Sequence, residues 1–313
     1  MSILSAPHFH NEEAAFERLE SIVWPNGPTC PKCGNCDQSR ITRVSGETAR
    51  VGLRRCLECK KQFTVKVGTV FESSHVPLHK WFQAAHLMAS SKKGISAHQL
   101  HRTLQVTYKT AWFMAHRLRE AMATGDLNPF GASGGIVEVD ETFIGNDRTI
   151  KPKGENMGRG YHHKHKVPAL VDRAAGTARA MVVDNLRADT LAPIVRANVV
   201  REAMLMTDEA SYYTIVGREF AGREIVRPNA GEYGRGEFHT NTIEGYFSIF
   251  KRGMKGVYQH CAKKHLHRYL AEFDFRYNNR TALSVEDVER AGKALAGIVG
   301  KRLKYRASSM DRA

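Results

Sequence analysis

Ile136-Val137-Glu138-Val139-Asp140 and Met204-Leu205-Met206-Thr207-Asp208 are two short apolar runs, each bringing an aspartate to or near a strand end. Bounded runs of this length read as buried β-strands. A third acid, Glu244, lies in a helical stretch after 35 intervening residues (209 to 243). Lys251 follows seven residues later, two helical turns on and therefore on the same face. Carboxylates delivered from two strands and a helix can hold two divalent ions ~4 Å apart for in-line attack on a phosphodiester. Asp140, Asp208 and Glu244 are thus the candidate catalytic set, with two Mg2+ (or Mn2+) per site. Glu138, on the same strand face as Asp140, and Glu209 are rival carboxylates, whereas strand alternation turns Glu141 away from Asp140.

Working outward, residues 166 to 172 and 178 to 184 read as strands around the Ala175-Gly176 turn, and 190 to 200 suit a helix. A helix through Phe220, a short strand over 224 to 227, a Gly-rich loop and the helix carrying Glu244 complete the run. This β-β-β-α-β-α-β-α order matches an α/β fold of the ribonuclease-H-like, retroviral-integrase-like kind. Its mixed sheet makes the first and fourth strands neighbours, so Asp140 and Asp208 are expected side by side. Residues 146 to 166 are basic, Gly-containing and aperiodic, and read as a loop close to nucleic acid. The histidines at 162, 163 and 165 within it suit phosphate contacts.

Four motifs carry a specific resemblance. The stretch His239-Thr240-Asn241-Thr242-Ile243-Glu244-Gly245-Tyr246-Phe247-Ser248-Ile249-Phe250-Lys251-Arg252-Gly253 is similar to the signature of a group of bacterial insertion-sequence transposases. These are zinc-ribbon DDE enzymes related to Merlin elements. The run from Val137 to Gly145, the motif Thr207-Asp208-Glu209 and the stretch from Tyr269 to Asn278 resemble the same family's other blocks. The resemblance implies a transposase that binds terminal inverted repeats, nicks DNA to free 3′-OH ends and joins them to target DNA. It further implies double-stranded DNA as partner, at least a dimer at synapsis, and a nucleoid-associated protein of the bacterial cytoplasm. Lys251 and Arg252 are expected to hold phosphate beside the metals, and His239 to contact DNA or position the helix. Asn241, one turn before Glu244, is a further nucleic-acid-binding candidate; some members of the wider group carry Asn as the third ligand.

Upstream, Cys30-Pro31-Lys32-Cys33-Gly34 and Cys56-Leu57-Glu58-Cys59-Lys60 form two C-x2-C pairs. Such pairs assemble a closed four-thiolate site for one structural Zn2+, which would supply most of the folding energy of so short a segment. Cys36 offers a competing spacing with Cys33, but the Cys-Pro-Lys-Cys-Gly order favours Cys30 and Cys33. Residues 78 to 89, 96 to 104 and 107 to 118 follow with helical periodicity, Ser96 and Thr107 standing at cap positions. Short helix, turn and longer helix make a helix-turn-helix type of unit. Lys109, Trp112, His116 and Arg119 are expected on the outer, DNA-facing side of its last helix.

The expected organisation is a zinc ribbon (1–75), a helix-turn-helix-type DNA-binding domain (76–130), a catalytic domain (131–280) and a basic helical tail (281–313). Lys and Arg outnumber Asp and Glu by 47 to 32, a net charge of +15, which points to a polyanionic partner. No apolar run approaches the ~18 residues of a membrane span, so no membrane role is expected. A nuclease without a joining step, or a zinc-ribbon regulator with an accidental acidic triad, are the alternatives.

Overall fold

The computed structural model describes residues 2–123, 128–147, 161, 163–226 and 239–304. The chain divides into two units, one built from residues 1–123 together with 285–313, the other from 124–284.

In the first unit, α1 (Glu12–Val23) starts at Asn11, whose side chain accepts from the Ala14 amide, and buries Ala15, Phe16 and Leu19. The ribbon strands β1 (Ile41–Arg43), β2 (Arg54–Cys56) and β3 (Gln62–Phe63) pair antiparallel in that order. Their small core is Cys30, Ile41, Cys56 and Phe63, against which Trp24 packs. A two-point ion pair from Arg54 to Glu20 (3.0 and 2.7 Å) ties the ribbon to α1. α2 (Leu78–Ser90) follows Pro77, which brings no capping side chain; instead the Glu12 carboxylate accepts from the Leu78 and His79 amides at 2.7 and 3.2 Å. Ser96 caps α3 (Ala97–Leu104) and Thr107 caps α4 (Tyr108–Met122), as the sequence indicates.

The chain's last segment joins this unit. The helix Asp287–Ala296 packs on α2 and α4, and Arg290 donates to the Ala89 carbonyl at 3.1 Å. It is shorter than the basic stretch suggests and stops at Gly297, where a Cβ would lie 2.3 Å from the Ala121 carbonyl oxygen of α4. Close backbone approach therefore requires glycine there. Beyond it, Val299 bridges to Thr69.

The second unit holds β4 (Ile136–Ile144), β5 (His165–Asp172), β6 (Thr177–Ala180), α5 (Ala188–Asn198), β7 (Met204–Thr207), α6 (Tyr213–Gly217), β8 (Gly222–Ile225), α7 (Asn241–Gly253) and α8 (Lys263–Asn278). The strands form one mixed sheet in the order β6-β5-β4-β7-β8, antiparallel from β6 to β4 and parallel from β4 to β8. This is the ribonuclease-H-like arrangement, with β4 at the centre. Alternation along β4 serves two cores. Val137 and Val139 pack with Leu191, Val195 and Val216 of α5 and α6. Ile144 packs with Phe250 of α7 and Leu266 and Phe273 of α8. The face carrying Glu138, Asp140 and Ile144 is thus the face covered by α7. A π-helical turn, Met254–Tyr258, extends α7. The basic loop lies largely outside the described residues (148–160 and 162), as do the Gly-rich loop (227–238) and the tail from 305.

Candidate active site and metal centres

The sulfurs of Cys30, Cys33, Cys56 and Cys59 all lie within 4.8 Å of one another, with Cys30–Cys59 and Cys33–Cys56 both at 3.7 Å. Tetrahedral Zn–S bonds of ~2.3 Å place the sulfurs ~3.8 Å apart, so the donor set and its spacing fit one structural Zn2+. Cys36 is exposed and stands outside this group. The Cys59 amide, helped by the Asn35 side chain and the Glu58 amide, pulls the Cys56 thiol down to about 6, whereas, against the Asn35 amide, burial and the sulfurs of Cys59, Cys30 and Cys56 push its partner Cys33 up to about 12.

In the second unit the strand register brings the acids together. Val139 pairs with Thr207 in the parallel β4–β7 ladder, so the next residue on each strand, Asp140 and Asp208, emerges at the same level. Carboxylate oxygens of Asp140, Glu141 and Asp208 lie within 4.8 Å of one another. Glu141 is a correction to the alternation argument. Its backbone does turn it from the α7 face, and its carboxylate accepts from the Tyr213 hydroxyl at 3.0 Å and from that of Tyr212. But β7 ends at Thr207, so no strand separates Glu141 from Asp208, and the two faces meet around the strand end. Tyr212 and Tyr213 are the functional neighbours sequence reasoning missed; the only signal was an aromatic pair soon after Asp208.

Burial, and then the negative charges of Glu141, Asp208 and Glu244, pushes the Asp140 carboxyl up to about 7. Burial also raises Asp208, against the Ala210 amide and Arg223, which stabilise its charge. Hard oxygen ligands whose mutual repulsion resists ionisation suit a divalent cation such as Mg2+ or Mn2+, which would reverse that penalty. Glu244 sits in the first turn of α7, exposed, outside the tight cluster but near enough for its charge to act on Asp140.

Of the rival carboxylates, Glu209 is exposed and not part of the cluster. Glu138 is fully buried and committed elsewhere. It accepts from Arg173 Nε at 2.5 Å and from the Ile243 amide at 2.8 Å. His239 Nδ1 stands 3.6 Å from it and accepts from Arg173 Nη2 and, at 3.3 Å, from the Asn241 amide. Arg173, His239 and Glu138 thereby fix the start of α7. Asn241 is its exposed first residue, Lys251 is half-buried and Arg252 exposed in its last turn.

On α4, Lys109 is exposed and Trp112 half-buried, but His116 and Arg119 are not on an outer face: they are 1% and 2% exposed. From Met114 onward α4 is almost wholly enclosed, because α2 and the helix Asp287–Ala296 both pack on it. Trp112 and His116 have ring centroids 4.1 Å apart. The outward end is the first turn, where Tyr108 is 45% exposed and stacks with His98 of α3 at 4.3 Å.

A ribonuclease-H-like sheet presenting paired aspartates beside a helix that carries a glutamate is the framework of a metal-dependent polynucleotidyl transferase. Residues 132–278 match the ISXO2-like transposase domain and residues 10–62 the transposase zinc-ribbon domain. The chain belongs to the zinc-ribbon DDE transposases of insertion sequences. It is similar to an uncharacterized protein in transposable element ISH50 of Halobacterium salinarum, 29% identical over 280 residues, 86% of this chain and 91% of that one. A chain of the simian T-cell lymphotropic virus intasome in complex with PP2A regulatory subunit B56 gamma superposes at a TM-score of 0.28 and 12% identity. That alignment covers 62% of this chain and 65% of the other, a likeness too loose to bear on the site.

Proposed function

We propose that this transposase binds the terminal inverted repeats of an insertion sequence, nicks each end to free a 3′-OH, and joins that end to target DNA. The observation that carries the reading is the β4–β7 register, which sets Asp140 and Asp208 together, with Asp140 on the face covered by the Glu244 helix. Asp140, Asp208 and Glu244 would hold two Mg2+ (or Mn2+). When bound, such a pair activates the attacking oxygen and stabilises the departing one. The protein's own groups do the positioning. Lys251 and Arg252, seven and eight residues after Glu244, lie within reach of the flanking phosphates. His239, fixed by Arg173, holds the first turn of α7, which keeps Glu244 near Asp140. Tyr212 and Tyr213 fix the Glu141 carboxylate beside Asp140 and Asp208. The first unit grips duplex DNA through Lys109 and Trp112 of α4, and synapsis of two ends requires at least a dimer. Among the described residues no helix is long and apolar enough to cross a membrane; a place beside the nucleoid follows from the proposed substrate.

The test uses a pre-nicked repeat end, a supercoiled target plasmid and Mg2+. Joined product is expected from the wild type and from none of Asp140→Asn, Asp208→Asn or Glu244→Gln, each retaining duplex binding. Cleavage with no joined product would assign a nuclease instead, and joining by any of the three variants would show the site to be misplaced.

A further inference from the structure

Past Asp140, β4 continues to Ile144, and beside that end lies a cavity of about 280 Å3 in the wall of the second unit. Lys164, His165, Lys255 and Gln259 form its polar side; Phe143 and Cys261 are also in the wall. None of its lining side chains is acidic. Of the two nearby acids, Asp184 pairs with Lys263 at 2.7 Å, and Asp147 stands 3.8 Å from the same ammonium. His165 is only 7% exposed, and its Nδ1 has no hydrogen-bond partner among the described residues, the Asp147 carboxylate standing 4.0 Å away. The geometry at the mouth is also unusual. α7 runs on into the π-helical turn Met254–Tyr258, and Gln259 is held at φ 55°, ψ −55°, a region costly for a residue with a side chain. At the rim, Phe143 and Tyr161 stack with centroids 4.8 Å apart, and Lys164 lies 5.0 Å from the Tyr161 ring.

Size and position define the occupant. The volume is at the low end of small-ligand sites, ~300–1,000 Å3, which admits one nucleotide and excludes a duplex. Three or four residues of strand separate the cavity from Asp140, about 10–13 Å. That places the cavity within a few nucleotides of the scissile phosphate along one strand. Lys251 lies between them on α7, so Lys251, Lys255 and Lys164 make a basic track leading from the acids to the cavity.

We propose that this cavity binds a single unpaired nucleotide of the DNA strand leaving the active site. Lys164 and Lys255 take its phosphate, His165 donates or accepts one hydrogen bond, and the Phe143–Tyr161 pair offers a face on which the base stacks. The proposal rests on the strand-transfer reading for the strand's route, but its test needs no metal and no chemistry.

The probe is a fluorescent twelve-residue oligothymidylate, with a 30-base-pair duplex as control, both without added Mg2+. Lys164→Ala with Lys255→Ala should bind the single strand about tenfold more weakly and lower the slope of log affinity against log salt by about 1.4, leaving duplex binding unchanged. In the unaltered protein, saturating oligothymidylate should slow iodoacetamide labelling of Cys261, followed by peptide mass spectrometry. Unchanged single-strand affinity and slope in the double variant, or Cys261 labelling at the same rate with and without the oligonucleotide, would overturn the assignment. Because the labelling uses the unaltered protein, a misfolded variant does not protect the idea. Failure of the joining assay with intact Cys261 protection would count against the strand-transfer reading alone.

Discussion

Replacing Glu138 by Ala tests how α7 is anchored. In the folded protein the Glu138 carboxylate is fully buried, one oxygen accepting from Arg173 Nε at 2.5 Å and the other from the Ile243 amide at 2.8 Å. Alanine leaves Arg173, whose side chain is only 16% exposed, without its principal counter-charge, and it strips an acceptor from the helix start. Removing one partner of a buried ion pair costs ~3–5 kcal/mol. In a unit of this size each kcal/mol moves the midpoint by ~2–4 °C, so a fall of roughly 6–20 °C is expected. Glu138→Gln keeps the shape and one acceptor, and should cost about half as much. Thermal unfolding by circular dichroism reads the magnitude. Hydrogen exchange reads the cause, since the peptide containing Ile243 should lose protection before those of β5 and β7. A Glu138→Ala protein that melts within 2 °C of the wild type, with Ile243 still protected, would refute the anchoring role.

Three further outcomes follow from the same structure. Burial pushes the Asp274 carboxyl up to about 7, against the bonds it accepts from Tyr246 at 2.5 Å and from the Ala180 amide at 2.9 Å. The folded chain therefore holds this proton more tightly than the unfolded one; the resulting destabilisation is absent below pH 4, grows between 4 and 7 and is constant above, reaching ~2–4 kcal/mol. Urea titrations of Asp274→Asn should show a smaller loss of stability from pH 4 to 7 than the wild type, and parallel profiles would contradict this. Asp140→Asn removes one charge from the acidic cluster, so without divalent ions it should raise stability by ~1–3 kcal/mol while abolishing the upward shift in melting temperature produced by Mg2+; calorimetry with and without the ion decides. Stripping Zn2+ with a chelator, or Cys56→Ser, should unfold the ribbon and quench the Trp24 signal while the β4–β8 sheet keeps its exchange protection. Loss of protection throughout the sheet would show the ribbon to be structurally coupled to it.

The parts legible in the sequence were those whose physics is local. A C-x2-C turn declares its metal within four residues, and the apolar runs ending near Asp140 and Asp208 declare strands within five. Even the pairing of those two strands followed, because the order of elements leaves few ways to build the sheet. What escaped was set by distant residues. His116 and Arg119 carry polar side chains at helical spacing, yet they are buried where α2 and the helix Asp287–Ala296, which arrives late in the chain, pack on α4. The nearness of Glu141 to Asp208 depends on where β7 stops, one residue short of hiding it. Glu138 reads as a spare carboxylate until Arg173 and the Ile243 amide, 35 and 105 residues away, are seen to claim it.

Building one unit from both ends of the chain has a consequence for synthesis. When residue 284 leaves the ribosome, every residue of the sheet-bearing unit has already been made, whereas α2 and α4 still lack the helix that closes over them. Domains fold as units during translation, so the order is imposed: catalytic scaffold first, helical module last. A message broken before codon 285 would then yield a nascent product with its acids assembled and its helical module left ajar.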